Sequence, residues 1–81
     1  VAEEQVKNCI KVQRAMRDWT QADLAEKAGV TRRSVNAIES GRMVPSIFLA
    51  LKLARALGIT VDVLFTLHSA DAAASANDSR A

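Results

Sequence analysis

QADLAEKAGVTRRSVNAIES, residues 21–40, holds two short helical stretches hinged at one glycine. Thr20 precedes it with a hydroxyl suited to capping a helix, and Asp23 follows three residues later, where the helix dipole favours a negative charge. These signals predict a helix over 21–28. Gly29 stands where a left-handed residue ends that helix, and Thr31 caps a second helix over 32–40. The apolar positions Leu24, Ala25, Ala28, Val30, Val35 and Ile38 suit two helices that cross steeply. Ala25 is small enough for close passage, Val30 plugs the corner, and Leu24, Val35 and Ile38 face a common core.

Once Val35 and Ile38 point inward, the helical period gathers Arg32, Arg33, Asn36, Ala37 and Ser40 on the opposite face. Two adjacent arginines alone are ordinary solvated helix surface. On the second of two crossed helices they form a readout face: Arg can donate to guanine N7 and O6, Asn can pair with adenine N6 and N7, and Ala can touch a thymine methyl.

Outward from this segment the chain reads as further helices. One is expected over 8–17 with Asn8 as its cap and a break at Asp18-Trp19. Ser46 opens another that ends at Gly58, and Thr60 opens a short one over 61–65. The expected fold is all-α, a five-helix bundle with short loops and the second and third helices as its functional pair. Within 81 residues there is room for one core: an N-terminal arm over 1–7, a domain over 8–68, and a disordered tail over 69–81, which lacks large apolar side chains.

Composition narrows the function. Residues 5–68 carry ten Lys or Arg against five Asp or Glu, a surplus of five that suits a polyanion. The one cysteine, Cys9, cannot form an internal disulfide, and one histidine, His68, gives no zinc spacing, so no metal or cofactor is expected. No apolar run approaches the roughly 20 residues of a membrane span, and no signal-peptide layout opens the chain, so a cytoplasmic protein off membranes is expected, nucleoid-associated if its polyanion is DNA. Ser34 and Ser69 have no neighbouring base and the acids are dispersed, so no enzyme is expected. Trp19 reads as a seal between helices, Cys9 as an inert small hydrophobe, and His68 as solvent-exposed.

The stretch TQADLAEKAGVTRRSVNAIESGRMVPS, continued by LALKLARALGITVDVLF, resembles the Cro and phage-repressor type of helix-turn-helix, the xenobiotic-response-element (XRE) family. The resemblance covers about residues 8–66. It implies a lambda-repressor-like fold and a sequence-specific transcription regulator of prokaryotic or phage origin. Double-stranded DNA would be the partner, read through the major groove by a homodimer on a palindromic operator. By position, the resemblance gives Gln21 a phosphate contact and a buttressing role. It puts Thr31, Arg32, Arg33, Ser34, Asn36 and Ala37 on the recognition helix, with Arg32 and Arg33 as base readers and Asn36 as either a base or a phosphate contact. Arg42, with the backbone amides around Gly41 and Arg42, would take the next phosphate, and Lys11 and Arg17 would add screened attraction. It also implies an ion pair between Arg14 and Glu39, since a half-buried carboxylate needs a partner.

Two places depart from the family pattern. Gln13 replaces the usual leucine, leaving Cys9, Val12 and Met16 as a separate apolar strip, and either strip of the first helix could face inward. In the fourth helix Ile47, Ala50, Leu51, Ala54 and Leu57 read as the core face, which leaves Phe48, Leu49 and Leu53 as surplus. They either broaden the core or form a dimer interface. The same surface would serve a protein partner in the alternative readings, an antitoxin with autoregulatory DNA binding or the controller of a restriction-modification system.

Overall fold

The computed structural model describes residues 4–69, which form the order β1 (Glu4–Asn8), α1 (Ile10–Met16), α2 (Gln21–Ala28), α3 (Arg32–Glu39), α4 (Ile47–Leu57), α5 (Val61–Leu64) and β2 (Phe65–Ser69). The helix starts follow the capping chemistry. Thr20 and Asp23 make a reciprocal box, the Thr20 hydroxyl accepting from Asp23 N at 3.0 Å and Asp23 Oδ2 accepting from Thr20 N at 2.9 Å. Those bonds hold the Asp23 carboxyl below the usual carboxylate range. Thr31 and Ser46 cap α3 and α4 by accepting from Ser34 N at 3.0 Å and Leu49 N at 3.1 Å. Gly29, at φ 74°, closes α2: Val30 N donates back to Ala25 O at 2.9 Å, a turn that only a left-handed residue completes cheaply.

The five helices are accompanied by a two-stranded sheet, so the all-α expectation is corrected. β1 and β2 pair antiparallel from Glu4↔Ser69 to Asn8↔Phe65. Cys9 N carries the contact on by donating to Leu64 O at 3.1 Å. Residues 4–7, expected as part of an arm, lie in β1, and Ser69 closes β2. The rest of the expected tail, residues 70–81, and residues 1–3 of the arm lie outside the described residues.

Helix α1 is shorter than expected and does not begin at Asn8, which belongs to β1. Asn8 still serves it: Oδ1 accepts from Ile10 N at 3.1 Å, while Nδ2 donates to Ile38 O at 2.9 Å, tying strand, first helix and α3 together. The inward strip of α1 is the one with Ile10, fully buried, and the half-buried Gln13 and Arg14; Val12 and Met16 face solvent.

Ile10, Leu24, Val35, Ile38, Leu53 and Leu64 are the largest fully buried side chains, joined by Ala25, Ala28, Ala54 and Leu57. Each large one contributes about 1.5–3 kcal/mol through removal from water. In α4 the core face is Ala50, Leu53, Ala54 and Leu57, an i, i+3, i+4, i+7 set. This corrects the expected face. Leu53 is 0% exposed and cannot lie in a dimer interface, whereas Ile47 and Leu51, expected inside, are exposed, as is Phe48. Leu49 packs half-buried at the edge.

Candidate functional site

Helix α3 presents two unlike sides. Val35 and Ile38 are buried, and Arg32, Arg33, Asn36 and Ser40 are exposed, with Ser34 and Ala37 half-buried at the margins. Among the described residues, the side chains of Arg32, Arg33 and Arg42 make no hydrogen bond or ion pair, and the one ion pair is Arg14–Glu39. Three unpaired guanidinium groups therefore lie on α3 and just beyond it. Each keeps all its donors for an outside acceptor.

The inner edge of α3 is held by a polar cluster. Arg14 Nε donates to Glu39 Oε2 at 2.8 Å and Arg14 Nη2 to Glu39 Oε1 at 2.9 Å, a two-pronged contact with both side chains only 15% and 10% exposed. Arg14 Nη1 also donates to Trp19 O at 2.8 Å, so the same guanidinium fixes the loop before α2. The Arg14 hydrogen bond holds the Glu39 carboxyl below its ordinary range against the opposing effect of burial, and the Arg14 guanidinium is raised in turn. Gln21, the first residue of α2, reaches across: its Nε2 donates to Glu39 Oε1 at 3.2 Å and to Asn36 Oδ1 at 3.3 Å. Gln21 thus touches the middle and the last residue of α3 rather than its first.

Other expected residues take more local duties. Thr31 Oγ1, besides capping α3, donates to Ser34 Oγ at 2.9 Å, which leaves the Ser34 hydroxyl hydrogen free. The Gly41 and Arg42 amides, expected to meet a phosphate, already donate to Ile38 O at 3.1 Å and Ala37 O at 2.9 Å as they close α3; only the Arg42 side chain remains available. Arg17 is likewise engaged, with Nη2 donating to Leu57 O at 2.6 Å and Nη1 to Gln13 O at 2.7 Å. Lys11 is exposed. Trp19 is half-buried, flanked by the cations of Lys27 at 4.9 Å and Arg17 at 5.7 Å from the ring centre.

Two supporting contacts escaped the sequence reading. Asn8 holds the last turn of α3, and Lys52 Nζ donates to Gly29 O at 3.1 Å, bracing the corner between α2 and α3 from α4. Their partners lie 30 and 23 residues away, beyond any local pattern. Among the described residues no three His, Cys, Asp or Glu side chains group to hold a metal, and no helix is long and apolar enough to cross a membrane.

Comparison with known proteins agrees with this geometry. A helix-turn-helix family model matches residues 10–64, so the chain belongs to the helix-turn-helix family, of the XRE type that its sequence resembles. It is 43% identical over 60 residues to an uncharacterized HTH-type transcriptional regulator of Methanocaldococcus jannaschii, covering 74% of this chain and 91% of that protein. It is 44% identical over 63 residues to the uncharacterized HTH-type transcriptional regulator YgzD of Bacillus subtilis, covering 78% and 96%. Among solved structures it is similar to a hypothetical transcription factor, NHTF, from Neisseria, with a TM-score of 0.63 and 30% identity over 67% of this chain and 62% of that one. Transcriptional regulators are a non-enzymatic class.

Proposed function

From membership of the helix-turn-helix family we propose that this chain is a DNA-binding transcription regulator that inserts α3 into the major groove. The observation that carries the reading is the outer face of α3, where Arg32, Arg33 and Asn36 stand exposed on a helix clamped from behind by Arg14, Glu39 and Asn8. A rigid backing is what sequence readout needs, because a base contact discriminates only if its donor cannot wander. Arg32 and Arg33 read guanine edges, and Asn36 and Ala37 contact neighbouring bases. The Gln21 main-chain N–H at the start of α2, Thr31 and Ser34 at the start of α3 and the Arg42 side chain beyond it meet phosphates and set the register.

One such domain makes few contacts, so the active species is a homodimer on a roughly palindromic operator, its half-sites about one helical turn apart. The exposed apolar residues of α4, Ile47, Phe48 and Leu51, with Leu49 at their edge, form its interface. A partner recovered in fixed stoichiometry in place of a second copy would favour the antitoxin reading on the same surface.

Selection of bound fragments from random duplex DNA tests the function. Arg32→Ala or Arg33→Ala should cost about 1–3 kcal/mol at one base position, and Arg42→Ala should weaken every sequence alike. Equal, sequence-independent losses from all three would remove Arg32 and Arg33 as base readers.

A further inference from the structure

The polar cluster behind α3 has a direction. Glu39 is a carboxylate paired with Arg14, and a carboxylate only accepts hydrogen bonds. Gln21 must therefore turn its NH2 group, not its carbonyl, toward Glu39 Oε1. That same nitrogen lies 3.3 Å from Asn36 Oδ1, and its second hydrogen is the one available there. Asn36 must in turn present its carbonyl oxygen inward. Its NH2 group is thereby aimed away from the cluster and has no partner among the described residues, on a residue that is itself exposed.

We infer that the Arg14–Glu39–Gln21–Asn36 chain fixes the amide polarity of Asn36, so that this residue meets DNA as a hydrogen-bond donor and selects a base-edge acceptor. The inference rests on the DNA-binding reading and sharpens it. An asparagine free to turn over can pair with either kind of edge, because its two ends differ only in donor and acceptor character. With its oxygen engaged by Gln21, Asn36 favours purine N7, guanine O6 or thymine O4. It disfavours cytosine, whose major-groove edge offers the N4 donor. Gln21 is a positioning residue in this scheme: it acts on base choice through Asn36.

Two measurements test the inference on the full chain. In the first, 15N relaxation of the Asn36 side-chain amide is compared between the wild type and Gln21→Ala without DNA. The wild-type amide should be ordered and the variant amide mobile, while the backbone amides of Val35 and Ile38 stay unchanged as a check on the fold. Equal mobility in both proteins overturns the relay even if DNA binding stands. In the second, the position read by Asn36 is found as the one at which Asn36→Ala loses base preference, and each base is then placed there. The wild type should bind the cytosine duplex about fivefold more weakly than the preferred one, and Gln21→Ala should bring that ratio near one. If Gln21→Ala instead lowers affinity for all four duplexes by the same factor and keeps the ratio, Gln21 is only a phosphate contact and the inference is overturned. If the wild type retains no duplex at all, the reading beneath it fails, and the base choice assigned to Asn36 falls with it.

Discussion

Helices α3 and α4 each turn one face to the core and the other to solvent, yet their outer faces share almost nothing. Outside α3 stand Arg32, Arg33 and Asn36, and outside α4 stand Ile47, Phe48 and Leu51. The difference is one of specification. In α3 the polar residues leave only Val35 and Ile38 for the core, so charge and period together decide which side is buried and which is left to work. In α4 apolar residues run nearly all round, so the period alone permits more than one inner face, and the neighbours choose. Val35 and Ile38 serve stability and Arg32 and Arg33 are free of it, whereas in α4 the two roles are separated only by the position of α2 and α5.

The largest effect that could break this contrast lies within α4. Leu53→Ala should cost about 3–4 kcal/mol in urea unfolding, because a fully enclosed side chain leaves a cavity. Leu51→Ala, at a residue 54% exposed, should stay within about 0.5 kcal/mol. Equal losses would mean that both sides of α4 are buried in solution.

The next effect separates the two faces of α3 by the same residue type. Arg14→Ala leaves the Glu39 carboxylate without its ion-pair partner and should cost about 2 kcal/mol of stability, below the figure for a fully buried pair because both side chains keep some contact with water. Arg32→Ala removes a guanidinium with no partner and should leave thermal unfolding unchanged while weakening DNA binding. A stability loss at Arg32 matching that at Arg14 would show that the outer face is not free.

The smallest effect is in pH. Glu39 is held below its ordinary carboxylate range by Arg14, so its contribution to stability is complete above the unfolded-state value near about 4.3 and is lost as pH falls through the lower folded value. Urea titrations from pH 7 downward should show wild-type stability dropping over that acidic window. In Glu39→Gln that component of the drop should be missing, and an unchanged profile would detach Glu39 from the ion pair.

How far the sequence could be read follows from the range over which each feature is encoded. The bounds of α2, the left-handed corner at Gly29 and the starts of α3 and α4 are set within three or four residues by Thr20, Asp23, Thr31 and Ser46, and these were legible. The sheet was not: β2, FTLHS, alternates apolar and polar residues, but β1, EQVKN, has a single apolar residue, and their pairing joins positions more than fifty residues apart. The inner face of α4 was misread because Leu51 and Leu53 are chemically alike and differ only in which way the packed helix turns. Arg17 looked like a spare cation for DNA, and only the folded chain brings Leu57 O to it. In the candidate site the outer residues of α3 could be listed from the period, but the direction of the Gln21 contact, toward Asn36 and not the start of α3, needed the structure.

Adding duplex DNA carrying a selected site to isotope-labelled protein, and following every backbone and side-chain amide by NMR, asks most directly whether the outer side of α3 is where the molecule meets DNA. Shifts concentrated at residues 31–37, Gln21 and Arg42, with the β-strands largely silent and any second group of shifts confined to the exposed side of α4, are the expected result. Shifts centred on β1 and β2, with residues 32, 33 and 36 unmoved, would contradict it.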